Sequence, residues 1–255
     1  MNARPADGSR PVVLVTGASS GIGAVTATRL AQAGWYPLLS GTDPARLADI
    51  ARQTGGVALP GDLLQADGIQ ELARRALAVS GRVDAVIANA GIGWRGPFTG
   101  MPLDVLDRMI ALNLTVPLSL ARLLLPAMVE RGSGCLVLTG SIVGRLGVRE
   151  EAAYAATKAA LGIFAESLRY ELQGTGVLVR LVLPGAVDTP YFARRGTPYH
   201  RDRPRPVPPE RVADAVLALL TGRREESVVP GWLRVPQWLH GASPALFRRM
   251  AGRFD

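Results

Sequence analysis

Tyr154 and Lys158 stand four residues apart in Tyr154-Ala155-Ala156-Thr157-Lys158, so on a helix both side chains leave one face about one turn apart. A phenol normally ionises near pH ~10, too high for ready proton exchange at neutral pH, and a nearby ammonium favours the phenolate and lowers that value. The pair therefore reads as a general acid/base: Tyr154 protonates an alkoxide in a reduction and takes the proton back in an oxidation. An ordinary exposed helix face is the plainer alternative, but composition argues against it, because Lys158 is the only lysine in a chain with 29 Lys plus Arg. A compact ammonium and a broad planar guanidinium are not interchangeable, and one ammonium has been kept. Ser141 follows the apolar run Leu136–Thr139, which sets its hydroxyl at a strand's end, in reach of a substrate oxygen. Asn113, inside Ile110-Ala111-Leu112-Asn113-Leu114, is an amide that needs polar partners if buried and is unremarkable if exposed.

Groups so far apart in sequence need a frame. Strand-like apolar runs occur at Val12–Val15, Tyr36–Leu39, Val57–Leu59, Val83–Ala88, Leu136–Thr139, Val177–Leu183 and Ser227–Val229, with longer amphipathic segments between them. Helix starts are marked at Asp43-Pro44, Pro208-Pro209 and Ser243-Pro244. The alternation predicts an α/β fold, a doubly wound parallel sheet with helices on both faces. Such a sheet binds ligands at the carboxyl ends of its strands, beside the point where strand order reverses. There, Val12–Val15 runs into Thr16-Gly17-Ala18-Ser19-Ser20-Gly21-Ile22-Gly23 and then a helical pattern. This strand, glycine turn and helix would let backbone N–H groups approach a pyrophosphate. Residues 1–10 read as a loose tail, 11–230 as one nucleotide-binding and catalytic domain with a substrate flap at 186–208, and 231–255 as an amphipathic extension of it. Within the flap, Pro198–Pro209 is dense in proline and arginine and is a candidate lid.

The chain has 255 residues, 48% of them hydrophobic and 20% charged, enough for one such domain and a substantial core. The single cysteine, Cys135, excludes a disulfide framework and suits a reducing cytoplasm. No signal-peptide pattern opens the sequence, and apolar runs such as Leu118–Leu125 are interrupted by Arg122 and Pro126, so a soluble protein is expected. The net charge of +8 is spread along the chain without a nucleic-acid motif, and no nucleic-acid partner is expected. Neither His200 nor His240 sits in a metal-ligand cluster, so no metal is expected.

The Gly-x-x-x-Gly-x-Gly spacing of Thr16–Gly23, Asn89-Ala90-Gly91 after the fourth run, Ser141, Tyr154 with Lys158, and Pro184-Gly185 followed by Thr189 together resemble the short-chain dehydrogenase/reductase family over about residues 11–230. The resemblance implies a Rossmann-like sheet of seven parallel strands and a homotetramer or dimer assembled through the long helices after strands four and five. It implies an NAD(P)-dependent oxidoreductase with catalytic residues Asn113, Ser141, Tyr154 and Lys158. Lys158 would also donate to the ribose hydroxyls, and Asn113 would make a backbone contact and hold a water in the proton relay. Gly17, Ser19, Ser20, Gly21, Ile22 and Gly23 would cradle the cofactor, joined by Asp62 and Leu63 at the adenine. Asn89, Ala90, Gly91, Pro184 and Gly185 would line it, and Val187 with Thr189 would meet the carboxamide.

In that family a carboxylate ending the second strand selects NAD, because it accepts from the ribose 2′-hydroxyl and repels a 2′-phosphate. Gly41 takes that position here; Thr42 follows it, and Ser20 stands where a basic residue sometimes sits in the glycine loop. Ser40, Thr42 and Arg46 could surround a phosphate, while Asp43 reads as a helix N-cap, so NADP(H) is favoured over NAD(H). The reaction expected is NADPH-dependent reduction of a ketone or aldehyde. The alternatives are an NAD-dependent alcohol dehydrogenase working oxidatively, a member performing dehydration or epimerisation, and a dinucleotide-binding regulator without chemistry. Trp94, Glu150, Tyr191, Phe192, Tyr199 and His200 are expected around the small-molecule substrate. Arg194 and Arg195 could attract an anionic group but read more simply as solvated. The tail from Trp232 to Phe254 is expected over the substrate cleft or against another subunit rather than on a membrane.

Overall fold

The computed structural model describes residues 10–199 and 204–251. Runs rich in Val, Leu and Ile form strands buried on both faces, as a parallel sheet between two helix layers requires. These are β1 (Val12–Thr16), β2 (Tyr36–Gly41), β3 (Val57–Pro60), β4 (Ala85–Ala88), β5 (Gly134–Thr139), β6 (Val177–Pro184) and β7 (Glu226–Val229). They pair in parallel in the order β3-β2-β1-β4-β5-β6-β7, so strand order reverses between β1 and β4. The seven strands fall on the seven predicted runs, within a few residues at their ends.

The helices are α1 (Gly21–Gln32), α2 (Pro44–Thr54), α3 (Gly68–Ser80), α4 (Leu103–Ile110), α5 (Val116–Arg131), α6 (Val143–Leu146), α7 (Ala152–Glu171), α8 (Tyr191–Arg194), α9 (Pro209–Thr221), α10 (Arg234–Ala242) and α11 (Pro244–Ala251). Alternation along each strand feeds two cores. Val12 and Leu14 with Leu136 and Leu138 pack against Leu72 of α3, Leu120 of α5 and Leu161 of α7. Val13 and Val15 with Cys135 and Val137 pack against Ala27 of α1, Leu47 of α2 and Val212 of α9.

Leu103–Arg131 forms one helical stretch through a π turn at Ala111–Thr115, long and apolar enough by length and composition to cross a membrane. Arg122 and Pro126, expected to interrupt it, lie on its exposed side, where neither disturbs packing. Its other side, with Val116, Leu120, Leu124 and Met128, is buried in the core beneath the sheet.

Two boundaries differ from expectation. Most of the predicted tail lies outside the described residues, but Arg10 is held: its guanidinium donates to Gly34 O at 3.1 Å and to Trp35 O, and lies over the Tyr36 ring. The flap is pinned at its base rather than free along its length. Val187 and Val207 form a parallel bridge, with Asp188 N donating to Val207 O at 2.8 Å and Val207 N to Ala186 O at 2.9 Å. His200 lies outside the described residues.

Candidate active site

Where strand order reverses, the ends of β1 and β4 are tied together. Thr16 Oγ1 accepts from the backbone N–H groups of Asn89 and Ala90, each at 3.0 Å, and Asn89 Nδ2 donates to Thr16 O at 3.1 Å. The turn above them has no room for a side chain at its three glycines. Gly17 and Gly21 have φ of +66° and +55°, and a Cβ on Gly23 would stand 2.2 Å from Gly17 O. This cradle opens into a cavity of about 1830 Å³.

Gly17, Ser19, Ser20, Gly21 and Ile22 line one end of the cavity, together with Gly41, Thr42, Asp62 and Leu63. Asn89, Ala90, Gly91, Pro184, Gly185, Val187 and Thr189 line its middle. Ser141, Tyr154, Lys158, Tyr191, Phe192 and Tyr199 line its far part, and the C-terminal helices contribute Trp232, Leu233, Pro236, Leu239 and Phe247. Gly23 supports the cradle from behind.

Tyr154 and Lys158 extend from α7 as their spacing requires. Lys158 is buried, and among the described residues its Nζ donates once, to Thr139 O at 2.8 Å. An ammonium carries three donors, so the others are available to a ligand's hydroxyls. Burial lowers its pKa to about 8. Ser141 is buried at the end of β5, its Oγ accepting from Val143 N at 3.2 Å and donating to Pro184 O at 3.4 Å. The Tyr154 hydroxyl is within hydrogen-bonding reach of both Ser141 and Tyr191.

Tyr154 corrects one expectation. Burial is the largest influence and raises its pKa; the Tyr191 hydroxyl lowers it, the Glu151 carboxylate raises it, and Ser141 and Arg195 lower it. The lysine is not among these causes: its Nζ sits under the ring, 5.8 Å from the centroid, and is itself destabilised as a cation by the same burial.

Asn113 is fully buried in the π turn and supports the site from below rather than lining the cavity. Its Oδ1 accepts from Ile92 N at 2.9 Å, and its Nδ2 donates to Ile92 O at 2.9 Å and Thr157 Oγ1 at 3.3 Å. It thereby fixes the chain after β4, where a Cβ on Gly91 would come within 3.0 Å of Asn113 Oδ1 and 3.6 Å of Lys158 Nζ.

Of the three residues expected around a 2′-phosphate, only Thr42 reaches the cavity. Ser40 is buried on one face of the sheet, and Arg46 forms an ion pair with Asp43 at 3.3 Å. Asp43 caps α2 as expected, its Oδ1 accepting from Arg46 N at 3.0 Å. Trp94 and Glu150 also stand outside the cavity wall. Trp94 folds over Gly96, and Glu150, at φ 65°, pairs with Arg95 at 3.0 Å.

The adjacent carboxylate, Glu151, was not anticipated. It lines the cavity and forms a buried ion pair with Arg195 at 2.6 Å, so Arg195 is neither solvated nor open to an anion. Its guanidinium also covers the Phe192 ring, 4.7 Å from the centroid. Gly93 is a second missed residue: a Cβ there would stand 2.0 Å from Tyr191 Oη, so only glycine admits that tyrosine. The repeated glycines of Gly91-Ile92-Gly93 were the available signal.

A glycine cradle at a helix start, polar groups along the middle and a buried ammonium with donors to spare fit an extended dinucleotide. A sequence-family profile described as short chain dehydrogenase matches residues 11–199. Ketoacyl reductase HetN of Nostoc sp. is 36% identical over 180 residues, 69% of this chain and 63% of that protein. An uncharacterised oxidoreductase of Staphylococcus aureus strain MRSA252 is 34% identical over 220 residues, 85% of this chain and 94% of that protein. The structure of a short-chain dehydrogenase from Sphingobium yanoikuyae in complex with NADPH superposes with a TM-score of 0.82 at 32% identity, covering 93% of this chain and 95% of that one.

Proposed function

The chain belongs to the short-chain dehydrogenase family, and from that premise we propose that it uses NADPH to reduce a ketone or aldehyde to an alcohol. The observation that carries this reading is the meeting of the Tyr154 hydroxyl, the Ser141 hydroxyl and the buried Lys158 ammonium in one cavity with the glycine turn. A nicotinamide dinucleotide bound there supplies or receives the hydride. The chain's own part is the proton. Tyr154 offers its hydroxyl proton to a carbonyl oxygen, and the Ser141 hydroxyl, turned from its long 3.4 Å bond to Pro184 O, offers a second, which polarises that oxygen and holds it in place. Tyr154 then gives its proton to that oxygen as negative charge develops. Burial keeps Tyr154 protonated at neutral pH, the form a reduction needs. Lys158 would hold the ribose hydroxyls, and Asn113 keeps the wall after β4 in register.

NADPH is favoured because no carboxylate follows β2 into the cavity: Gly41 and Thr42 line it, and Asp43 is committed to its cap and to Arg46. The Sphingobium relative was solved with NADPH, and the Nostoc relative is named for ketoacyl reduction, which supports a ketone as substrate. NADH is the second reading, favoured by one observation: with Ser40 buried and Arg46 paired, Thr42 alone offers a 2′-phosphate a polar side chain among the three residues expected there. Exposed Leu103, Ile163 and Tyr170 on α4 and α7 support assembly of copies through that face. The buried free thiol of Cys135 accords with a reducing cytoplasm.

The test is titration with NADPH and NADH, followed by a panel of ketones and aldehydes with the tighter binder. NADPH oxidation that depends on a carbonyl is the expected result. Tyr154→Phe should retain cofactor affinity while losing about a hundredfold or more in turnover. Turnover retained by that variant would sink the assignment.

A further inference from the structure

Resting on the reading of the cavity as a dinucleotide site, we propose that Arg194, carried by the flap helix α8, is a further ligand for the cofactor pyrophosphate and couples cofactor binding to the placement of α8.

Ser20 stands at the N-cap of α1, yet its hydroxyl makes no capping bond to that helix. It accepts instead from Arg194 Nη1 at 2.9 Å, across 174 residues of sequence. The guanidinium is thereby placed at the N-terminus of a twelve-residue helix, the end that carries partial positive charge. Two positive groups facing each other are a poor arrangement alone and a good one around an anion. Among the described residues Arg194 forms no ion pair, whereas its neighbour Arg195 is buried on Glu151. The end of α8 thus carries one guanidinium committed to structure and one exposed at the cavity wall.

The surrounding chain is fitted to the same place. A Cβ on Gly21 would lie 3.2 Å from the Thr189 side chain, so the segment leading to α8 already rests on the glycine turn. The Val187–Val207 bridge fixes the base of that segment. Arg194 N donates to Pro190 O at 3.0 Å and closes the single turn that also carries Tyr191 and Phe192. A phosphate oxygen would replace the neutral Ser20 hydroxyl as acceptor with a charge-assisted, two-pronged one. Because α8 is a single turn, holding Arg194 holds Tyr191 beside Tyr154. The pyrophosphate is common to both dinucleotides, so Arg194 sets affinity and leaves the choice between them to the end of β2.

Wild type, Arg194→Gln and Arg194→Lys are titrated with NADPH and with NADH by nicotinamide fluorescence, with adenosine as a phosphate-free competitor. Arg194→Gln should weaken both dinucleotides alike, by about tenfold or more, and leave adenosine unchanged. Arg194→Lys keeps the charge without the fork and should lose less, about threefold. NADH should protect the Tyr191–Tyr199 segment from chymotrypsin in wild type and fail to do so in Arg194→Gln. Unchanged affinity in Arg194→Gln overturns the proposal, as does a loss confined to NADPH. Failure of wild type to bind either dinucleotide is a separate result, which removes the functional reading as well.

Discussion

Lys158 is held where an ammonium is costly. Its pKa falls from 10.5 to about 8 on burial, so at neutral pH the folded chain carries a charge that the unfolded chain would rather hydrate, at a cost of about 3 kcal/mol. The sign of the pH dependence follows. Above about pH 8 the folded state has released this proton while the unfolded state keeps it, so stability rises with pH through that window. Cys135 works the other way, because burial raises its pKa from the usual thiol range to about 12 and the unfolded thiol ionises first. Urea denaturation between pH 8 and 9 should therefore show a net rise in stability of about 0.5 kcal/mol, and Lys158→Met should be more stable at pH 7 and decline slightly across the window, where only the thiol acts. A wild type that declines there as the variant does would mean that Lys158 is not buried as a cation. The importance of Lys158 was legible in the sequence because it is the only lysine, whereas the fate of Ser40 and Arg46 was not. Strand alternation turned Ser40 into the core, and Arg46 stands outside the cavity wall beside Asp43, both decided by side-chain direction rather than residue type.

Between β4 and α7 the site depends on an irregular element. The π turn Ala111–Thr115 widens the helix by one residue, a feature often found at functional sites, and it buries Asn113 with its amide spent on Ile92 and Thr157. Asn113→Ala would strip Ile92 N and O of their partners and leave a gap, costing about 2 kcal/mol in denaturant unfolding. Turnover should fall with it, because the chain at Ile92 and the helix at Thr157, beside Lys158, lose their fixed partner; a variant with unchanged stability would show that water replaces the amide. The sequence marked Asn113 as an amide in an apolar stretch but gave no sign of the π turn, which keeps helical spacing on either side. Nor could it join Glu151 to Arg195, 44 residues apart, since each charge alone reads as solvated. Glu151→Gln tests that link between helix and lid: an unpaired buried guanidinium should cost about 3 kcal/mol and raise the substrate KM through a loosened α8. A variant as stable as wild type, with an unchanged KM, would show the pair to be incidental.

At the scale of the whole molecule, the order of strands and the place of the cavity followed from period and punctuation: seven apolar runs, proline-marked helix starts and a glycine turn after the first strand. The roof over the substrate end followed only in part: the amphipathic tail was expected over the cleft or against another subunit, and its pattern alone fits both. Here α10 turns Leu239 to the cavity and leaves Trp238 exposed, and Leu233 approaches Gly185 closely enough that a Cβ there would meet it at 2.6 Å. With Phe247 and Pro236, Leu239 gives the cavity an apolar wall remote in sequence from the proton-transfer groups. A wall of this kind recognises substrate bulk rather than the carbonyl, so its effect should scale with chain length. Leu239→Ala should lower kcat/KM for a long-chain ketone by about fivefold and leave a short ketone nearly unchanged, since only the longer chain covers the removed methyl groups. Equal losses for both would mean that α10 holds the catalytic frame itself, and equal rates for both would mean that the substrate leaves the site by another side.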